Sequence, residues 1–247
     1  MSTEFVRRRW ADGRPARLAW SGIDHPQVVE TVAASGAFDA VVLDLQHGTY
    51  DRAGALAAAR AAARTDVTLL ARIASVDADL IGWLLDIGVD GLIVAMCEST
   101  AQVSDIVRAV RYPPHGDRSY GVVRATSPLD AVSAAEQVIV LPMIESAAGL
   151  AAVESIVAVE GVDGVFIGPG DLGQSLGHGL GQDRTEPEMV AAFDTVRMAA
   201  HAAGKRCGIF AVTSDYAREC AEVGYDLVVP WFDSAVVGAS IAAAAMP

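Results

Sequence analysis

The chain has 247 residues, 52% of them hydrophobic and 20% charged, with a formal net charge of −13, so one large α/β domain over residues 1–247 is expected, without a linker or a disordered arm. The negative charge repels polyanions, and Arg7-Arg8-Arg9 is too short a basic run to follow a phosphate backbone, which excludes nucleic acid as a partner. Residues 10–15 are polar where a secretory leader would be apolar, and no apolar run reaches about 18 residues, so no membrane span and a cytoplasmic protein are expected.

In chain order, short apolar runs rich in β-branched residues occupy 17–23, 40–46, 68–73, 91–96, 138–145, 164–168, 207–212 and 227–232. Segments of helical periodicity lie between and after them, at 53–64, 79–87, 101–110, 147–157, 188–203, 215–223 and 234–245. Alternation of this kind calls for parallel strands with right-handed crossovers, and eight repeats favour a closed (β/α)8 TIM barrel over an open doubly wound sheet. Gly88, Gly204 and Gly224 stand where helices should stop. Two prolines and two glycines make 112–121 a loop, and with 122–137 it forms the longest excursion, a possible lid. The terminal helix could pack on the barrel or on a neighbouring subunit. Cys97, Cys207 and Cys220 are odd in number and scattered, which argues for buried filler rather than disulfides or a zinc site.

A barrel of this kind projects its reactive groups from the C-terminal ends of its strands. Four polar residues end runs there: His47, Arg72, Glu145 and, in the turn after the sixth run, Asp171. Glu145 and Asp171 lie one βα unit apart, and two carboxylates on one rim suit a hard divalent ion whose remaining positions take water and a 2-oxo acid. The alternative is that each caps the helix that follows it. Arg72 shares a strand face with Thr68 and Leu70 and needs an anion, either a substrate carboxylate or enolate oxygen or a buried Asp44, which strand alternation places on one face with Gln46. His47 is either a proton relay or a plain turn residue. The turn Gly168-Pro169-Gly170-Asp171 can point backbone N–H groups at a carboxylate. His25, His115, His178 and His201 lack strand-end context and belong on the surface or in loops. The one lysine, Lys205, precedes the seventh run and so lies at the opposite rim, which argues against Schiff-base chemistry.

The chain resembles the HpcH/HpaI class II, metal-dependent pyruvate aldolases. The resemblance is carried by Leu43-Asp44-Leu45-Gln46-His47, Ala71-Arg72, Leu84-Leu85-Asp86-Ile87-Gly88, Arg111-Tyr112-Pro113-Pro114, Ile144-Glu145 and the stretch 159–172, which ends Gly168-Pro169-Gly170-Asp171-Leu172. It implies Glu145 and Asp171 as ligands of Mg²⁺, Mn²⁺ or Co²⁺, with no organic cofactor. It also implies Arg72 as the clamp on pyruvate and its enolate, His47 as the proton relay, and Asp86 as a group that orients a histidine across a subunit interface. Gln46 and Gly170 join Arg72 and Asp171 as expected substrate-binding positions. The implied activity is a carbon–carbon lyase that enolises pyruvate or a related 2-oxo acid and adds it reversibly to an aldehyde, in a homo-oligomer, a hexamer or trimer, whose C-terminal helix exchanges between subunits. Gln46 stands where the family has Glu, Met143 where many members have Gln, Gly170 and Gly173 where Ala and Ser are usual, and the loop 121–137 is shorter. These departures leave the aldehyde open and keep alternatives in play: a 2-oxo acid decarboxylase, a citramalyl-type thioester lyase, or an impaired 2-oxo acid binding protein.

Overall fold

Eight apolar runs become eight parallel strands: β1 (Ala16–Ser21), β2 (Ala40–Asp44), β3 (Thr68–Ile73), β4 (Gly91–Val94), β5 (Ile139–Ile144), β6 (Gly164–Ile167), β7 (Arg206–Ile209) and β8 (Leu227–Phe232). Each pairs with the next, and β8 pairs with β1, closing the barrel. The structure is a computed structural model that describes residues 3–121 and 131–245, with nothing stated of the Ala131 side chain.

Period-two alternation sorts the strand residues into two layers. Leu18, Trp20, Val42, Leu70, Ile93, Leu141, Met143 and Phe166 fill the barrel interior, whereas Ala19, Val41, Leu43, Leu69, Ala71, Leu92, Val140 and Val165 face the helices. Asp44, Arg72 and Glu145 each lie two residues beyond an interior residue, Val42, Leu70 and Met143. The interior face therefore runs from aliphatic to charged as each strand reaches its C-terminal end.

The helices are α1 (Glu4–Ala11), α2 (Pro26–Ala34), α3 (Arg52–Ala62), α4 (Ala78–Ile87), α5 (Thr100–Val110), α6 (Ala131–Glu136), α7 (Ala147–Val157), α8 (Pro169–Ser175), α9 (Pro187–Ala202), α10 (Ser214–Val223) and α11 (Asp233–Ala244). Side chains of Asp51, Asp77, Ser99, Ser146 and Thr213 accept N-terminal amides of α3, α4, α5, α7 and α10. Gly88 and Gly224 stop α4 and α10 at φ 110° and 105°, a left-handed conformation that an L side chain strains to adopt.

Helices α1, α2, α6 and α8 were not expected from the pattern. The first presents only Val6 and Trp10 to the core, too few to show a period, and closes the N-terminal mouth of the barrel by packing them on the interior cluster. Its basic run is internal wiring: Arg7 pairs with Asp163 at 2.9 Å, Arg8 with Glu4 at 2.7 Å and Arg9 with Asp39 at 3.1 Å. Part of the expected lid, residues 122–130, lies outside the described residues. Among those described, no helix is long and apolar enough to cross a membrane, and the three cysteines are free and buried.

Candidate active site

Asp44 ends β2 across the register from Arg72 on β3. Its Oδ1 accepts from Arg72 Nε at 3.0 Å and its Oδ2 from Nη2 at 2.5 Å, a two-pronged grip on the guanidinium. Trp20 Nε1 adds a bond at 3.1 Å to Oδ2, and the Arg72 guanidinium lies 5.1 Å from the centre of the Trp20 ring. Burial alone would raise the Asp44 carboxyl, but the hydrogen bonds and charge of Arg72, with the His47 amide and Trp20, hold it below the ordinary value. Asp44 is thus the buried anion that Arg72 meets, and the Arg72 Nη1 makes no hydrogen bond among the described residues.

The backbone amides of Gln46 and His47 both donate to Asp44 Oδ1 at 3.0 Å. These bonds turn the chain at the end of β2, so strand alternation stops at Asp44. His47 faces the cavity, and Gln46 does not line it. The expectation that Gln46 continues the strand face of Asp44 is corrected on this ground, since β2 ends at Asp44 and the chain turns there. Its Oε1 is buried without a hydrogen-bond partner among the described residues.

Glu145 follows β5 and is 2% exposed. Its Oε1 accepts the Met96 amide at 2.7 Å, and Met96, at φ 53°, is the one non-glycine residue with positive φ among those described. A Cβ on Gly168 would fall 2.4 Å from Glu145 Oε2, so only glycine lets the start of α8 approach this carboxylate. Burial pushes the Glu145 carboxyl up from its ordinary value, the Met96 bond opposes this, and the negative charge of Asp171 adds to the rise. Asp171 is exposed, in the first turn of α8.

One cavity of about 270 Å³ at the C-terminal mouth is lined by His47, Arg72, Glu145 and Asp171 together, with Asp44 beneath and Gly170 beside them. Trp20, Met143, Phe210 and Phe232 form its apolar walls. Asp86 is elsewhere: it sits on α4, takes a 2.7 Å ion pair from Arg118 Nη2, and borders a separate surface cavity of about 690 Å³. Within this chain it lies apart from the cavity, paired with Arg118. His25 caps α2, His201 pairs with Asp226 at 2.8 Å, and Lys205 Nζ donates to the Val162 carbonyl at the N-terminal rim. The multiple role of Asp44 and the aromatic walls were missed by pattern reading, because interior strand residues look alike until their neighbours are known.

The pattern described as HpcH/HpaI aldolase/citrate lyase matches residues 17–238. The chain belongs to that family. It is 37% identical to a hydroxypyruvate/pyruvate aldolase of Rhizorhabdus wittichii over 246 residues, covering 95% of this chain and 94% of that protein. It is 36% identical to a pyruvate aldolase of Rhizobium etli, covering 96% and 94%. The crystal structure of an HpcH/HpaI aldolase/citrate lyase family protein from Burkholderia cenocepacia superposes with a TM-score of 0.89 at 29% identity, covering 97% and 96%. HpcH/HpaI membership makes the chain a lyase of the aldolase type, and the barrel expected from the strand pattern is the fold found.

Whether a metal would suit this site is a question of donors. Among the described residues no group of three or more His, Cys, Asp or Glu side chains gathers to hold an ion. Apart from Asp44, which Arg72 engages, the cavity offers two carboxylates, Glu145 buried and Asp171 exposed, both with oxygen atoms free of cationic partners among the described residues. This hard, oxygen-only set fits a divalent ion that keeps most of its shell for water and substrate, and gives no preference to zinc.

Proposed function

We propose that the chain is a metal-dependent aldolase that enolises pyruvate, hydroxypyruvate or a close 2-oxo acid and adds it reversibly to an aldehyde. The observation that carries this reading is the convergence of Glu145, Asp171, Arg72 and His47 on one small cavity. Glu145 and Asp171 would hold Mg²⁺, Mn²⁺ or Co²⁺, which when bound would polarise the keto and carboxylate oxygens of the acid. Arg72 is positioned by Asp44 so that its remaining N–H groups face the oxyanion that develops at carbon 2 as the carbon 3 proton leaves. His47, exposed on the rim with its backbone fixed by Asp44, relays the proton that leaves carbon 3 to the aldehyde oxygen as the carbon–carbon bond forms, and back in the reverse direction. Trp20, Phe210 and Phe232 keep bulk water from the reacting carbon.

Names of relatives agree, since the Rhizorhabdus wittichii protein is named for hydroxypyruvate and pyruvate. A homo-oligomer fits α11, which buries only Asp233 and exposes Val236, Val237 and Ile241. The test is hydrogen–deuterium exchange at carbon 3 of both acids, followed by NMR with each metal. Exchange that vanishes in Glu145→Ala is expected, and its absence in the wild-type protein with every metal would sink the proposal.

A further inference from the structure

Two glycines stand where the family resemblance expects Ala and Ser, and the loop between α8 and α9 occupies the room left at both. A Cβ on Gly170 would fall 2.7 Å from Gln182 Nε2 and 3.2 Å from its Oε1. A Cβ on Gly173 would fall 2.7 Å from Arg184 Nε and 2.8 Å from its Cζ. A methyl group at Gly173 would press on the buried, hydrogen-bonded Arg184, whereas one at Gly170 would meet only the end of the Gln182 side chain, which sits where that methyl would be.

The chain around Gln182 is tied down through Asp183 and Arg184. Asp183 accepts the backbone amides of Val212 at 2.8 Å and Thr213 at 3.0 Å, just past β7, and the Thr213 hydroxyl at 2.5 Å. Arg184 is buried and donates to Glu186 Oε1 at 2.7 Å, to the Gly181 carbonyl at 3.2 Å and to the Gly179 carbonyl. The Tyr216 hydroxyl donates to the Arg184 carbonyl at 2.8 Å. Residue 182 thereby lies between Gly181, whose carbonyl Arg184 holds, and the anchored Asp183, and its side chain lines the cavity that holds Arg72, Glu145 and Asp171. The side-chain amide makes no hydrogen bond among the described residues. The other side chains lining the cavity are ionisable or apolar, apart from the Trp20 indole, whose N–H already serves Asp44.

We propose that Gln182 determines donor specificity: its amide hydrogen-bonds a hydroxyl on carbon 3 of the 2-oxo acid, so that the site takes hydroxylated donors in preference to pyruvate. This rests on the aldolase reading of the site. A 2-oxo acid held at Asp171 lies against the adjacent Gly170, and the group occupying the place of the missing methyl is the Gln182 amide. An amide both donates and accepts, as a hydroxyl does, whereas a second carboxylate on the donor would call for a cation, and Arg72 is already engaged by Asp44. Gln182 is exposed at the cavity mouth, where water serves its amide when pyruvate is bound, so a donor hydroxyl gains the net worth of one hydrogen bond.

The experiment titrates hydroxypyruvate and pyruvate calorimetrically into the Mn²⁺-loaded protein and follows carbon 3 exchange in parallel. It compares wild type with Gln182→Met, which keeps the length without the hydrogen bond, and with Gln182→Ala. Wild type should favour hydroxypyruvate, and the affinity ratio of hydroxypyruvate to pyruvate should fall about 2–10-fold in both variants, the net worth of one such bond. A ratio unchanged in both, equal weakening of the two acids, a wild-type preference for pyruvate, or an effect confined to the aldehyde would each overturn the proposal. The ratio collapsing without carbon 3 exchange in wild type would uphold Gln182 recognition and sink the aldolase reading, whereas no binding of either acid would sink both.

Discussion

The Asp44 carboxylate accepts five hydrogen bonds among the described residues: two from Arg72, one each from the amides of Gln46 and His47, and one from Trp20. It ties an oxyanion donor to the turn that presents the proton carrier, so a change at either is felt at the other. Arg72→Lys keeps the charge but cannot reproduce the planar fork. We expect it to lower kcat/KM for carbon 3 exchange by about 10²–10³, the cost of a misplaced oxyanion donor. Mn²⁺ affinity, followed by electron paramagnetic resonance, should stay within about twofold because the positive charge near Glu145 is retained. A parallel loss of metal binding would show that Arg72 acts on the ion rather than on the substrate. Arg72 and Glu145 could be read from the sequence because each charge interrupts an apolar run. The bonds on Asp44 could not, since Trp20 and Arg72 lie 24 and 28 positions away.

The α8 helix carries Asp171 into the site, yet Gly168-Pro169-Gly170 reads as a turn. Proline at the first helical position costs nothing, because the amide there has no helical partner to lose, and this hides a short helix behind turn composition. The close approach of α8 to Glu145 yields a sharp expectation for Gly168→Ala. Its Cβ would meet Glu145 Oε2 at 2.4 Å and Met143 Cε at 2.9 Å, so the carboxylate must move. Overpacking of this kind should cost roughly 1–3 kcal/mol in chemical denaturation and weaken Mn²⁺ binding by roughly 10–100-fold, as loss of outer support for a ligand does. Wild-type metal affinity in this variant would mean that Glu145 is not a ligand. At the other end of the chain, the alanine-rich pattern of α11 left its packing partner open. The structure shows why: only Asp233 is engaged, its carboxylate accepting Ser21 Oγ and the amides of Gly22 and Ile23, while the rest of the helix leaves the barrel surface.

Closure of the barrel places carboxylates at both ends of β2. Asp39, just before the strand, accepts the Arg17 amide at 2.8 Å and pairs with Arg17 and Arg9, and Asp44 lies at the far end. Burial would raise Asp39 too, but Arg17 and then Arg9 pull it below the ordinary value. Both groups are therefore depressed in the folded chain relative to the unfolded one. The stability they contribute is fully present above the unfolded value of about 4 and is lost as pH falls through the folded values. Glu145, raised by burial, works in the opposite direction. Urea unfolding followed by circular dichroism should show a steep acid limb below about pH 4, and Asp44→Asn should lower the neutral plateau and flatten that limb. Parallel limbs in wild type and variant would show that Asp44 carries no pH-dependent stability.

Strand positions, their inward and outward faces, and the charged residues at their ends were legible because alternation with period two is a local property of the chain. So was the argument against lysine chemistry, since Lys205 precedes a strand and stays at the wrong rim. Where alternation stopped was not legible: Asp44 captured two amides and turned the chain, so that His47 faced the cavity and Gln46 did not. Nor could spacing show that Asp86 would meet Arg118 on the outer surface, or that loop 177–186 would fold back over Gly170 and Gly173 and bring Gln182 to the site. Those outcomes depend on contacts between residues far apart in sequence, whose positions are set only when β8 closes on β1 and the loops at the strand ends are brought to one mouth.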